Sequence, residues 1–342
     1  MGRTTVYNKL TTQEDIDNIL EANKNLVLDF LGYLESVDRS PKTIIQYKSD
    51  LNIFFVWNLK FNGNKFFADI KKRELVRWQT YCLNQLQWSP KRLRRVKSAV
   101  SSLSNYIENI VMDDGDEEEE FKNFKPIVRK IESPENIAIR DKTIFNDEEV
   151  QHLLDVLVEQ KEYEKACAIA ISAYSGMRRS ELLQMKISFF TDDKLINNGS
   201  MYRTEKIRSK GRGKNGKPIS KYILVGAKKY IDMWLDERNK LGITNEELFV
   251  ARHDNVWTAR KTFDNWYPRL SEIVGKPFYL HSLRHFLNTK LVESNIPVEV
   301  IRTFFEWSDA QMVSYYCDSD MTEEFDKYFT SEGIVTQDEQ KL

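Results

Sequence analysis

Residues 281–285 read His-Ser-Leu-Arg-His and begin a stretch, 281–294, whose apolar spacing predicts a helix. His281 and Arg284 stand three residues apart, so a helix places both on the same face. Both also fall in its first turn, where backbone N–H groups without helical partners favour a bound phosphate. This stretch therefore predicts a phosphate site at the beginning of a helix.

Two other stretches supply cationic side chains. Residues 175–182 (SGMRRSEL) place two adjacent arginines after a glycine in an otherwise apolar helical region. Burying an arginine there is costly unless it pairs with an acid or binds an anion. A basic, glycine-rich turn, 208–214 (RSKGRGK), lies within a segment, 196–225, that predicts strands. Arginines, a lysine and a histidine together suit displacement at a phosphodiester, which requires charge neutralisation and proton transfer.

Each stretch also has an ordinary structural interpretation. An arginine in residues 175–182 is often a surface ion-pair residue, and a His-x-x-Arg pair occurs by chance. A turn rich in lysine and glycine is commonly the solvated tip of a hairpin. The order of the three stretches along the chain is what makes them informative together.

In that order they resemble the motifs of the tyrosine recombinase, or phage integrase, family. Residues 176–182 resemble its first arginine motif, with Arg178 as the arginine and Glu181 as the acid that follows. Residues 281–285 resemble its HxLRH motif. The resemblance covers about residues 20–325.

The last part of the chain that resembles the family contains the expected nucleophile. Residues 305–309 (FEWSD) resemble the family's LGHSS segment, with Trp307 where most members have histidine and Phe-Glu in place of Leu-Gly. Tyr316 follows Trp307 by nine residues, the family's position for the attacking tyrosine. Because Tyr315 precedes it directly, this assignment depends on spacing.

The resemblance implies that four side chains hold the scissile phosphate. Arg178 and Arg284 would bind its non-bridging oxygens, with Arg178 rather than the adjacent Arg179 in the motif position. His281 would orient the phosphate and manage the tyrosine proton, and Trp307 would donate its indole N–H to a phosphate oxygen.

The remaining implied roles belong to the covalent step. Tyr316 would attack the phosphate and form a 3′-phosphotyrosyl link, and Lys210 would protonate the departing 5′ oxygen. Lys214 and Lys217 are the alternatives to Lys210 in the same turn. The resemblance implies no metal and no ATP, because guanidinium groups supply the charge and the covalent intermediate stores the bond energy.

The expected fold is mainly α in two domains. Helical spacing and two helix starts, Ser40-Pro41 and Ser89-Pro90, predict a small helical domain over residues 24–112. It resembles the family's core-binding (SAM-like) domain. Residues 143–329 would form an α+β tyrosine-recombinase catalytic domain with a small β-sheet. The other expected segments are a lead-in over 1–23, an acidic linker over 113–142 and a tail over 330–342.

The distribution of charge favours a DNA partner although the net charge is −1. Residues 113–120 contribute seven acids, so the rest of the chain is basic. Five bases occupy seven positions at the beginning of the helix after Ser89. They are Lys91, Arg92, Arg94, Arg95 and Lys97. With Arg212 and Lys214 of the basic turn they are predicted to contact DNA phosphates, although such a run is more often a solvated face.

The predicted partner is double-stranded DNA, on which the resemblance implies four protomers of this chain. The three scattered cysteines form no disulfide or metal pattern, which predicts a reducing, cytoplasmic setting. No apolar run reaches the roughly 18 residues of a membrane helix. Two alternatives remain: a DNA-binding regulator (repressor) on the same fold without recombinase activity, and a type IB topoisomerase.

Overall fold

The computed structural model describes residues 11–112, 121, 124–135, 143–211, 213–250, 261–317, 329–330 and 333–334. It divides into two compact units. The first comprises Met1–Arg140 with Gly211–Gly216, and the second comprises Asp141–Lys210 with Lys217–Leu342. The predicted acidic run and Arg212 lie outside the described residues. No helix in the described ranges is long and apolar enough to cross a membrane.

The described part of the first unit is helical. Its α-helices are α1 (Gln13–Asp17), α2 (Glu21–Ser36), α3 (Pro41–Phe61), α4 (Lys72–Asn84) and α5 (Pro90–Tyr106). The two predicted helix starts are confirmed, because the hydroxyls of Ser40 and Ser89 accept hydrogen bonds from the backbone N–H groups of Thr43 and Arg92.

Aromatic side chains dominate the core of the first unit. Phe54 of α3 meets Trp78 of α4 edge to face, with ring centroids 5.4 Å apart, and meets Phe67 in the same way at 6.1 Å. All three rings are buried. Such edge-to-face pairs add to the free energy gained from burial, and here they fix α4 against α3.

The second unit combines helices with short antiparallel strands. Its helices are α6 (Asp147–Glu159), α7 (Tyr163–Ala173), α8 (Arg179–Leu182), α9 (Lys228–Lys240), α10 (Lys261–Val274), α11 (Leu280–Glu293), α12 (Val298–Phe304) and α13 (Gln311–Tyr316). Its strands are β1 (Leu195–Ile196), β2 (Met201–Arg203), β3 (Ile207–Ser209), β4 (Lys217–Ile219), β5 (Tyr222–Leu224), β6 (Phe329–Thr330) and β7 (Gly333–Ile334). The predicted mainly α class with a small β-sheet is confirmed.

The strands form three small sheets. One has the order β1-β2-β5, with Arg203 opposite Tyr222, and another is the hairpin β3-β4, with Ser209 opposite Lys217. The third is the pair β6-β7. Because β3 ends at Ser209 and β4 begins at Lys217, the predicted basic turn joins the two strands of this hairpin.

Two buried helices carry the candidate site. α7 is buried from Ala166 to Ala173, and the chain leaves its end toward Gly176 and Arg178. α11 buries Leu283, Arg284 and Leu287 on its inner side. The first arginine motif and the His-x-x-Arg stretch therefore meet in the same core.

Candidate active site

Arg284 is a fully buried arginine with unused donors. It lies in the first turn of α11 and is 0% exposed, and its Nη1 donates to the carbonyl oxygen of Gly176 at 2.6 Å. Its Nε and Nη2 are buried without a hydrogen-bond partner. A buried guanidinium left unsatisfied is costly, so these two donors indicate a site for an anion.

Gly176, whose carbonyl oxygen binds Arg284, stands where both the backbone conformation and the available space favour glycine. Its backbone lies in the left-handed region at φ +55°, which glycine adopts without steric cost. A Cβ atom added here would overlap the ring of Phe305. The glycine of the first arginine motif therefore lets Phe305 pack against this turn, whose carbonyl oxygen accepts from Arg284.

Arg178 is held by the buried carboxylate of Glu181. Its Nη1 lies 3.0 Å from Glu181 Oε1, and its backbone N–H donates to Oε2 at 2.8 Å. The hydroxyl of Ser209, at the end of β3, also donates to Oε1, at 2.6 Å. Desolvation alone would raise the pKa of Glu181, but Lys221, Ser209 and Arg178 together lower it, so the carboxylate is ionised.

Lys221 belongs to the same cluster, and the sequence analysis missed it. Its side chain is 0% exposed, and its Nζ lies 3.9 Å from Glu181 Oε2 without a hydrogen-bond partner. Burial lowers the pKa of Lys221 to about 8, although Glu181 acts in the opposite direction. The available signal was strand alternation, because Lys221 and the apolar Ile223 occupy the same face and are both buried.

Three aromatic rings are stacked beside Arg284. Phe305 and Trp307 are 4.4 Å apart between centroids and 14° from parallel, and Trp307 and Tyr316 are 5.2 Å apart and 10° from parallel. The guanidinium carbon of Arg284 lies 4.8 Å from the Trp307 ring and 5.2 Å from the Tyr316 ring. Trp307 Nε1 is buried without a hydrogen-bond partner, so it is a further unused donor beside Arg284.

The turn before Trp307 contains Phe305-Glu306, where the family usually has Leu-Gly. Glu306 lies in the left-handed region at φ +57°, where a glycine would carry no steric cost. Phe305, in the leucine position, is fully buried against Gly176 and Trp307. The unusual pair therefore keeps the backbone conformation that a glycine would favour.

The two adjacent tyrosines differ in their exposure and in the side chains around them. Tyr316 is 6% exposed, and its ring lies 5.3 Å from that of His281 and 4.8 Å from that of His285. Tyr315 is 63% exposed. Asn288 of α11 donates to the carbonyl oxygen of Val313 at 2.9 Å, which ties α13 to α11. Tyr316 therefore reaches the cluster from within its own chain.

His281 stands at the edge of the cluster. Desolvation lowers its pKa to about 4, with further contributions from the positive field of His285, Arg284 and Arg178. Its side chain is nevertheless exposed to solvent. In the absence of an anion His281 is therefore neutral near pH 7, with a nitrogen lone pair available to accept a proton.

The structure does not bring the predicted lysine into the cluster. Lys210 follows Ser209 directly, but its side chain is exposed, as are those of Lys214 and Lys217. The choice among these three lysines therefore remains open. Lys210 follows Ser209 in the chain, and Lys217 lies opposite Ser209 on β4.

The bases on α5 differ in their exposure, and four of the five reach the surface. Lys91, Arg94 and Arg95 are exposed, and Arg92 is half-buried, with its guanidinium carbon 4.4 Å from the centroid of the Trp88 ring. Arg95 binds the carboxylate of Asp50, with Nη2 at 2.9 Å.

Lys97 differs from the rest of the run because it points into the first unit. It is 5% exposed. Its Nζ donates to the carbonyl oxygens of Ile131 and Glu132 at 2.7 and 2.9 Å and to side-chain oxygens of Gln79 and Ser133. These contacts give its ammonium a structural function.

Comparisons with known proteins agree with this arrangement. The model of the phage integrase family matches residues 143–323, more than half of the chain. The SPbeta prophage-derived recombinase-like protein YomM of Bacillus subtilis (strain 168) is 28% identical over 331 residues, which cover 93% of this chain and 94% of YomM.

Solved structures share the fold. The XerH site-specific recombinase bound to palindromic difH substrate, a post-cleavage complex, is 20% identical with a TM-score of 0.63 and covers 83% of this chain and 79% of XerH. A lambda integrase tetramer bound to a Holliday junction is 15% identical with a TM-score of 0.61 and covers 91% of this chain and 81% of the integrase. The chain therefore belongs to the phage integrase family of tyrosine recombinases.

Proposed function

We propose that this protein is a site-specific DNA recombinase that cleaves and rejoins double-stranded DNA through a 3′-phosphotyrosyl intermediate on Tyr316. One observation carries the proposal. Buried donors of Arg284 and Trp307 lack partners, and both side chains are packed against the ring of Tyr316. A phosphate oxygen would satisfy those donors beside the phenol.

The covalent step follows from the groups present. The Tyr316 oxygen attacks the scissile phosphorus, a new P–O bond forms, and the bond to the 5′ oxygen breaks. The phenol proton passes to the neutral His281, and Lys210 gives a proton to the departing 5′ oxygen. Religation is the same sequence reversed, with the 5′ hydroxyl as the nucleophile, so no outside energy source is consumed.

The cationic groups stabilise the charge of the transition state. The phosphodiester gains negative charge as the phenolate oxygen attacks, and donors fixed in a buried site bind that charge without reorganisation. Arg284 and Trp307, whose buried N–H groups lack partners, would supply such donors, and Arg178 would contribute a second guanidinium.

Contacts outside the site would position the DNA. We assign phosphate contacts to the bases of α5 whose side chains reach the surface, and to the basic turn. These residues are Lys91, Arg92, Arg94, Arg95, Arg212 and Lys214. Lys97 is omitted, because its ammonium already has four oxygen partners. Residues 24–112 would thus serve as the DNA-binding domain and residues 143–329 as the catalytic domain.

Strand exchange would need four protomers on two DNA sites. The related lambda integrase is described as a tetramer bound to a Holliday junction, and we extend that arrangement to this chain. Its oligomeric state on a synthetic junction, measured by mass photometry, tests the extension. Four protomers are expected per junction, and a monomer or dimer at saturation would contradict it.

A DNA substrate with a nick beside the cleavage point tests the reaction itself. The short product diffuses away, so the covalent protein–DNA complex accumulates and is resolved on a denaturing gel. We expect a band with the unaltered protein and with Tyr315→Phe, in the presence of EDTA, and none with Tyr316→Phe. A protein that shifts this DNA on a native gel yet never forms the band would instead be a DNA-binding regulator.

A further inference from the structure

Lys221 is a buried lysine that has no role in the covalent step described above. Its side chain is 0% exposed, and its Nζ has no hydrogen-bond partner. Its backbone is fixed, because its N–H donates to Thr204 Oγ1 at 2.8 Å and its carbonyl oxygen accepts from the Thr204 N–H at 2.9 Å. The ammonium therefore has a set position, 3.9 Å from Glu181 Oε2.

The buried carboxylate of Glu181 needs a second cation besides Arg178, and Lys221 is that cation. The Glu181 carboxylate is 0% exposed, and Arg178 is the charged residue that donates hydrogen bonds to it. A carboxylate paired with Arg178 alone would cancel the charge that Arg178 has to offer a phosphate. With Lys221 on the other oxygen, the group of three has one net positive charge.

Resting on the function proposed above, we infer that Lys221 is a positioning residue: it balances the buried Glu181 carboxylate, so that Glu181 orients Arg178 without neutralising it toward the scissile phosphate. Lys221 acts through Glu181 and does not itself touch the DNA. This separates its role from that of Lys210, which is exposed on the basic turn.

The charged surroundings make the inference testable by pH. Arg178, Lys221 and the Ser209 hydroxyl surround Glu181, while Arg178, Arg284, Glu181 and Glu306 surround Lys221. Burial favours the protonated form of Glu181, and Lys221 is the largest influence in the opposite direction. Without Lys221 the carboxylate would take up a proton in a higher pH range and release Arg178.

The experiment measures the rate of covalent-complex formation on the nicked substrate from about pH 5.5 to about pH 8.5, a range that includes raised carboxyl pKa values. Lys221→Met is compared with the unaltered protein. We expect its rate to fall about tenfold or more at the acid end, the size expected for losing a charge-assisted hydrogen bond, and to recover toward the alkaline end. A profile parallel to that of the unaltered protein would overturn the inference.

Two further variants keep the test decisive even if Lys221→Met folds poorly. The double variant Glu181→Gln with Lys221→Met removes both charges of the buried Lys221–Glu181 pair. Its pH profile should be level and its rate within about threefold of that of Glu181→Gln alone, as expected when the two residues act as one unit. Effects that multiply instead would contradict coupling. Lys221→Arg should keep most of the rate, whereas loss of the rate with this variant would mark Lys221 as a proton donor.

The same gel distinguishes failure of the recombinase function from failure of the role given to Lys221. If the unaltered protein forms no covalent complex on its substrate, the proposed recombinase function fails. If it forms the complex and Lys221→Met shows no acid loss, only the role given to Lys221 fails.

Discussion

The indole ring of Trp307 lies parallel to the phenol ring of Tyr316, with centroids 5.2 Å apart and planes 10° apart. Through this stack, one side chain can both donate a hydrogen bond and support the ring of Tyr316. Trp307 presents a buried N–H without a partner, and its face fixes the ring of the proposed nucleophile. We therefore expect the tryptophan in the family's usual histidine position to act both as a donor to the phosphate and as a support for the Tyr316 ring.

Trp307→Phe separates these two functions. Phenylalanine keeps an aromatic face for Tyr316 but removes the indole N–H. We expect cleavage to slow by on the order of 100-fold, the usual effect of losing one oxyanion donor. The melting temperature should change little, because the stack remains.

The control is Trp307→His, which keeps a ring N–H. Its cleavage rate should exceed that of Trp307→Phe under the same conditions, measured on the nicked substrate. Equal rates for the two variants would argue against a donor function for the indole.

Gly176→Ala should damage both the fold and the site. The new methyl group would overlap the Phe305 ring, and the backbone there has φ +55°. We expect the free energy of unfolding to drop by about 2 kcal/mol or more, as for other substitutions that combine overpacking with a left-handed backbone.

Gly32→Ala provides the matched control for chemical denaturation. Gly32 lies within α2, is exposed, and has no atom within 4 Å of an added Cβ. This substitution should stabilise the protein by roughly 0.5–1 kcal/mol, the difference between glycine and alanine in a helix interior. Similar losses at the two glycines would contradict the close contact assigned to Gly176.

His281 should bind a proton at lower pH than an ordinary histidine. Its pKa is lowered to about 4 by desolvation and by the nearby positive charges. The unfolded chain takes up this proton near pH 6.5, so this group reduces stability as the pH falls from about 6.5 toward 4. An anion bound beside Arg284 should raise the pKa of His281.

Nuclear magnetic resonance titration of the imidazole measures this directly, with His281→Gln identifying the resonance. We expect a neutral ring at pH 6 in the free protein and an upward shift of the midpoint when sulfate is added. A midpoint near 6.5 that sulfate does not move would show that the ring does not sense the cationic cluster.

Lys91 and Lys97, six positions apart on α5, should respond differently to removal of their charge. Lys91→Met removes an exposed ammonium, so DNA affinity should fall and the slope of log K against log salt should decrease by about 1. Lys97→Met removes an ammonium bound to four oxygens. We expect it to cost about 1–3 kcal/mol of the free energy of unfolding, because the hydrogen bonds of this buried ammonium are lost.

Fluorescence anisotropy over a salt series and thermal melting check both halves of this prediction. Lys91→Met should melt within about 0.5 kcal/mol of the unaltered protein, as surface substitutions generally do. An unchanged salt slope for Lys91→Met, combined with a reduced slope for Lys97→Met, would reverse our assignment of the two side chains.

What the sequence could predict depended on local signals. Helix starts at Ser40 and Ser89 are decided within four residues, and Arg178, Arg284 and Tyr316 stand in motifs whose spacing is visible in the chain. The structure brings these motif residues into one cluster around α11. Their positions were therefore predictable before any distance was known.

Burial of two lysine side chains, Lys97 and Lys221, was missed in the sequence. Lys97 lies among surface bases and Lys221 follows a run of exposed lysines, yet both ammonium groups are buried by distant segments. Their partners lie more than 30 residues away along the chain, at Ile131 and Glu181. Only the folded arrangement decides which lysine of a basic run contacts solvent and which contacts a carboxylate.

The central claim is that Tyr316 forms a covalent bond to a DNA 3′ phosphate. The most direct test is to digest the trapped protein–DNA complex with a protease and a nuclease and to locate the residual nucleotide phosphate by mass spectrometry. We expect the added mass on Tyr316 alone. An adduct on Tyr315 or on any other residue, or a reaction with no adduct, would contradict it.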